Sequence, residues 1–239
     1  MILTSVAQLA ISIGVATLIG GCVRNISQTA RIAKLHQNSP AELPEVTSTS
    51  TTAMIEHLQC LDREGLLRLF CSCAPPADIS SLSGGWNGIL LNNNNLGMTN
   101  IGSKFISNTL FGKGSRWNGK YFGSEGKGTN RFIGKRATHM MHEFDFVLQE
   151  SKIQKGTQSV CLKYSKYQFP LSPWHTMTDE VRCLPGNVLI GFGAMAWSGG
   201  MLNSAPFCLY PATEKDAPPN DAYGYIIAPA STPFKPAYF

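Results

Sequence analysis

The sequence predicts a mainly β protein, a closed antiparallel barrel carrying an apolar N-terminal segment. Three observations lead there. Two tryptophan–glycine signatures, Gly84-Gly85-Trp86-Asn87-Gly88 and Trp117-Asn118-Gly119-Lys120-Tyr121-Phe122, set a large indole between glycines. A curled sheet needs that combination, because glycine lets another backbone approach while the aromatic fills the space beside it. From Leu82 onward, short apolar runs alternate with Gly, Asn and Pro at a spacing that suits about eight strands. Closing such a set removes the sheet edges that invite aggregation. At the other end of the chain, Ile2 to Val23 contains no charged residue.

That first stretch, about 22 residues, is long enough to cross a bilayer as a helix. No Lys or Arg precedes it, whereas Arg24, Arg31 and Lys34 follow. The positive-inside bias therefore predicts a single-pass anchor with the body on the cytosol, matrix or stroma side. A secretory signal would carry a basic n-region, which is missing here. Ile19-Gly20-Gly21-Cys22 also resembles a lipoprotein cleavage box, in which Cys22 would carry the lipid, and a buried or packing helix is the remaining reading of the stretch. Residues 1–37 thus read as anchor and basic flank, and 38–52, rich in Ser, Thr and Pro, as an exposed linker.

The body is expected at 53–211. Met54, Leu58, Leu61, Leu66, Leu69 and Phe70 mark one face of an amphipathic helix, broken or bent near Gly65, capped by Ser or Thr at 50–52 and stopped by Pro75-Pro76. Strands follow at Gly85 to Leu91, Lys120 to Phe122, Arg131 to Ile133, Glu143 to Leu148, Ser159 to Tyr164, Glu180 to Leu184, Val188 to Trp197 and Pro206 to Tyr210. Residues 212–239 hold five prolines and read as an extended arm, lying on the body or reaching a neighbour through Phe234, Tyr238 and Phe239.

The composition, 43% apolar, suffices for a core, and the net charge is +5. From Lys104 to Arg136 eight Lys or Arg face one acid, Glu125, an excess suited to lipid headgroups or an acidic protein neighbour, or to a solvated face. No reader motif accompanies it, so nucleic acid is not an expected partner. Seven scattered cysteines argue for reduced thiols, and Cys71-Ser-Cys73 lacks the spacing of a structural zinc site.

The order of motifs resembles the GXWXG family together with the domain of unknown function that commonly follows it. The residues that carry the resemblance are Gly84, Trp86 and Gly88; Trp117, Gly119, Lys120 and Phe122; Tyr164 with Pro170 and Pro173; Asp179 with Arg182; and Leu189 with Gly191. Together they span roughly residues 82–210. The loop Ser165 to Thr178 is longer and more aromatic than the family pattern, and Leu91 to Gly114 carries extra Asn and Gly. The resemblance implies a lipocalin-like barrel with a cavity or a plugged interior, and implies no settled activity.

Candidate sites follow. Trp86, Trp117, Lys120, Tyr164, Trp174 and Arg182 are the ligand-binding set. Trp86 and Trp197 fall within strand-like runs as packing residues, Trp174 falls at a mouth, and Arg116 and Lys120 flank Trp117. His175, Asp179 and Arg182 are the weak catalytic candidates, with the histidine as general base. Asp179, Glu180 and Arg182 could orient a ligand's polar head, but the preferred reading is a structural Asp179–Arg182 ion pair closing the barrel end. His139 and His142, beside Glu143 and Asp145, are weak metal candidates with no third ligand assured, since strand positions 139 and 142 point to opposite faces. No cofactor is called for; a bound lipid or pigment is the candidate occupant. The functional expectation is a non-catalytic, membrane-anchored barrel, an accessory subunit of a larger membrane protein complex or a binder of a hydrophobic small molecule. The alternative is a small isomerase or hydrolase acting on a lipophilic substrate inside the barrel.

Overall fold

The computed structural model describes residues 22–34, 50–93, 112, 114–135, 138–196 and 200–213. The expected span except its last two residues, most of the linker, Trp197 and the tail beyond Thr213 lie outside the described residues. Among the described residues no helix is long and apolar enough to cross a membrane.

Eight antiparallel strands close into a barrel in chain order: β1 Gly84–Leu90, β2 Arg116–Phe122, β3 Lys127–Ile133, β4 Thr138–Glu150, β5 Gln158–Lys163, β6 Met177–Leu184, β7 Val188–Met195 and β8 Ala205–Pro211. All eight expected strands are present. β1 pairs with both β2 and β8, so no edge remains. Because consecutive strands run antiparallel, β1, β3, β5 and β7 finish at one end, where β2, β4, β6 and β8 begin. The 3-10 turn Ile79–Leu82 lies at the opposite end, where Leu82 joins the interior and its carbonyl accepts from the Trp86 indole at 2.8 Å. That end is plugged.

Two bulges decide what faces inward. In β2 the register shifts between Trp117 and Gly119, so Trp117 and Lys120, three positions apart, both point into the barrel. Gly119 makes this turn at φ 134°, and a Cβ there would fall on the Trp86 carbonyl oxygen. Gly88 accommodates the indole itself: its Cβ would sit 2.5 Å from the Trp117 ring. In β4 the shift lies opposite Gly128 and Asn130, and His142 adopts φ 58° in the extra turn.

Among the described residues three α-helices precede the barrel: α1 over residues 22–34, α2 Thr51–Cys60 and α3 Arg63–Ser72. Their Ile32, Met54, Leu58, Leu66 and Phe70 pack on Ile190, Phe192 and Cys208, the outer faces of β7 and β8. The helix expected to be broken or bent near Gly65 is broken, into two helices parted slightly earlier, at Leu61 and Asp62. The Asp62 carboxylate accepts from the Gly65 amide at 2.8 Å and so starts α3 as a cap. Ser50 occupies the N-cap position of α2 but its side chain makes no capping bond. Buried Arg63 ties α1 to the barrel, donating to Thr29 Oγ1 at 3.0 Å and to the Ser204 carbonyl at 3.2 Å.

Candidate functional site

A polar cluster sits midway along an otherwise aromatic and aliphatic interior. β2 supplies Lys120, β3 Asn130 and β6 Asp179, while Tyr164 follows the last residue of β5. The Lys120 ammonium donates to Asn130 Oδ1 at 2.7 Å, to the Tyr164 hydroxyl at 2.8 Å and to Asp179 Oδ2 at 2.8 Å. The Tyr164 hydroxyl donates to the same Asp179 oxygen at 2.7 Å and accepts from Asn130 Nδ2 at 3.2 Å. Trp117 Nε1 completes the Asn130 carbonyl at 3.1 Å. Ring faces surround the ammonium, with Phe144 at 5.3, Phe207 at 5.4, Tyr164 at 5.5 and Trp117 at 5.6 Å to their centroids. Each ring presents its negative face to a desolvated cation.

The electrostatics follow from burial. Lys120 and Asp179 side chains are each 2% exposed. Desolvation lowers the Lys120 pKa below its ordinary value, and the Asp179 charge and hydrogen bond oppose that shift. Burial raises Tyr164 well above the ordinary phenol, and Asp179 adds to the shift by disfavouring a second negative charge. Tyr164 is therefore a neutral donor. Its hydroxyl, already accepting twice and donating once, is poorly placed to exchange a proton with a substrate. Asp179 Oδ1 differs: it is buried and has no hydrogen-bond partner among the described residues. Gly193, its pair partner on β7, lies against it, since a Cβ on Gly193 would come within 2.5 Å of that oxygen.

From this cluster toward the end where β1, β3, β5 and β7 finish, Met141, Met177 and Trp174 pack, half-buried, on the interior core. The His142 ring lies 6.2 Å from the Trp174 ring and 6.0 Å from Phe132. Of the expected ligand set, the structure brings Trp117, Lys120 and Tyr164 together. Trp174 lies toward the end opposite Leu82, and Trp86 packs edge-on to Phe122 near Leu82.

Arg182 belongs elsewhere. Three positions from Asp179 on a regular strand, it points outward, and no Asp179–Arg182 ion pair forms. Its guanidinium donates to Gln154 Oε1 at 2.7 Å, Thr157 Oγ1 at 2.6 Å, Ser159 Oγ at 2.9 Å and the Phe70 and Cys73 carbonyls at 3.1 and 3.2 Å. It also stacks over the Phe70 ring at 4.5 Å. It fastens the C-terminus of α3 to the barrel wall. Glu180, on the same outer face, accepts from Ser151 Oγ and the Lys152 amide at 2.6 Å each, holding the β4–β5 connection. His175 turns Nδ1 to the Gln168 carbonyl at 3.2 Å. The expected catalytic trio of His175, Asp179 and Arg182 thus occupies three separate environments. His139 is exposed, and among the described residues no three His, Cys, Asp or Glu side chains gather as a metal site.

Asn130, Phe144, Phe207 and Gly193 escaped the sequence reading. The strand expected at Arg131 begins four residues earlier, at Lys127, which puts Asn130 at its centre between inward Gly128 and Phe132. A polar amide two positions from each was the available signal. No family model matches the chain, and no curated protein matches it. Among solved structures, a protein from Thermomonospora curvata is similar over 66% of this chain and 93% of its own, at 15% identity and a TM-score of 0.46, and this likeness carries no argument about function.

Proposed function

We propose that this chain is a non-catalytic, membrane-anchored binding barrel. It holds a lipophilic small molecule whose polar head carries a hydrogen-bond donor, and it serves as an accessory subunit of a membrane protein complex. The observation that carries the binding reading is Asp179 Oδ1, a buried acceptor without a partner inside an aromatic interior. A buried acceptor left unpaired costs about 1–3 kcal/mol, which a donor group on a ligand recovers. Toward the end opposite Leu82, the open end in this reading, the half-buried methionines Met141 and Met177 have the adaptable side chains that let an apolar tail pass. Membership of the GXWXG family belongs to the same proposal. Of the residues of that resemblance, Trp86, Trp117, Lys120, Phe122, Tyr164, Asp179 and Leu189 line the barrel interior, with Gly88 beneath Trp117, whereas Arg182 lies outside it. The anchoring part rests on the uncharged stretch Ile2 to Val23 and the bases that follow it.

The test is extraction of the full chain from its native membrane in mild detergent, followed by size separation and native mass spectrometry of proteins and small molecules together. A near-stoichiometric lipid or pigment within a larger assembly is expected. A monodisperse, ligand-free monomer would contradict the proposal.

A further inference from the structure

The described residues contain six exposed large hydrophobic side chains, and five of them lie at one end of the barrel. Leu171 is 85% and Phe169 70% exposed, both in the β5–β6 connection. Ile133 ends β3, Leu202 lies in the 3-10 turn Gly200–Asn203 between β7 and β8, and Val23 opens α1. Only Val147, on the wall of β4, lies elsewhere. Scattered single apolar residues are ordinary on a protein surface, but five gathered on one rim are not.

Two further observations give the rim an occupant. Cys22, where α1 begins, meets this same end: Asn203 Nδ2 donates to Cys22 Sγ at 3.1 Å, and Asn25 Nδ2 donates to Asn203 Oδ1 at 2.9 Å. The uncharged residues 2–21 therefore join the fold at the rim, and a lipid on Cys22 would be attached there too. Exposed bases also stand at this end, Arg116 at the start of β2, Lys135 after β3, Lys163 at the end of β5 and Lys166 just beyond it. Against these four stand two acids, Glu143 and Asp145, and Asp145 already accepts from Tyr167 and pairs with Lys166 at 3.6 Å. Apolar tips interleaved with cations suit the boundary between anionic headgroups and acyl chains.

We propose that the open end of the barrel is a bilayer-docking surface: the molecule stands on an anionic leaflet with Phe169 and Leu171 inserted at the headgroup–acyl boundary. This rests on the membrane-anchored reading above and adds an orientation to it, one that turns the mouth of the proposed binding site toward the lipid. A lipophilic ligand then passes between bilayer and barrel without crossing water.

The experiment compares Phe169→Trp with Val147→Trp in the full chain, reconstituted into vesicles of phosphatidylcholine and phosphatidylglycerol with brominated acyl chains. Each added emission is read against the parent protein. Insertion to a depth of roughly 5–10 Å predicts quenching at position 169 at least about twofold stronger than at 147, and weaker quenching when phosphatidylglycerol is omitted. Vesicle-bound protein with equal quenching at both positions would overturn the docking surface, leave the rim to a protein partner and leave the anchor intact. Protein that fails to float with the vesicles would overturn both readings.

Discussion

Replacing Lys120 with methionine removes the cation from the centre of the barrel and leaves the Asp179 carboxylate with Tyr164 as its remaining donor. At 2.8 Å and an effective dielectric of about 20, the Lys120–Asp179 attraction is on the order of 6 kcal/mol. Desolvating the two ions costs a comparable amount, so the intact pair contributes little net stability. Removing one member is another matter, because the desolvation of the other is no longer offset. Lys120→Met should cost about 3–5 kcal/mol, and at about 2–4 °C per kcal/mol for a chain of this size the Tm should fall by roughly 6–20 °C. The double variant Lys120→Met with Asp179→Asn removes both charges, keeps an acceptor for Tyr164 and leaves Asn130 its bond from Trp117. It should recover about half or more of the loss. Denaturant unfolding followed by near-ultraviolet circular dichroism, run as a double-mutant cycle, reads both numbers. A loss below about 1 kcal/mol for the single variant, or a double variant that loses the plain sum of the two singles, would refute the account of the cluster as a coupled buried pair.

Tyr164 has a folded-state pKa well above its unfolded value of about 10, so above that pH the folded chain holds a proton that the unfolded chain releases, and stability falls as pH rises. Tyrosinate absorbance should count fewer ionising tyrosines in the native protein than in urea, and Tyr164→Phe should reduce that difference by one. Burial pushes the Cys71 and Cys161 thiols up to about 11, and those of Cys73, Cys183 and Cys208 up to about 12. At mildly alkaline pH an alkylating reagent should label exposed Cys60 and spare these five until the protein unfolds, as read by peptide mass. Gly119→Ala, strained at φ 134° and meeting the Trp86 carbonyl, should cost about 3 kcal/mol or more. Gly156→Ala, at φ 79° with no atom within 4 Å, should cost only about 1–2 kcal/mol by the same unfolding assay.

The sequence by itself determined the eight strands, because Gly, Asn and Pro punctuate short apolar runs and such runs have few other ways to bury themselves. It also singled out Trp117, Lys120, Tyr164 and Asp179. What it could not supply was the face each side chain takes. The inward pairing of Trp117 and Lys120 depends on one inserted residue in β2, a one-position slip that reverses every later side chain. β6 carries no such insertion, so Asp179 and Arg182, also three positions apart, part to opposite sides of the wall, and an expected ion pair becomes an interior carboxylate and an exterior clamp on α3. The break between α2 and α3 shifted because Asp62 captures the Gly65 amide, a cap that outweighed the hydrophobic periodicity running through it. Only closure of the barrel brings positions 120, 130, 164 and 179 within hydrogen-bond distance. Only that closure, too, gathers Val23, Ile133, Phe169, Leu171 and Leu202 on one rim, since contacts between strands distant in sequence follow from topology and not from local pattern.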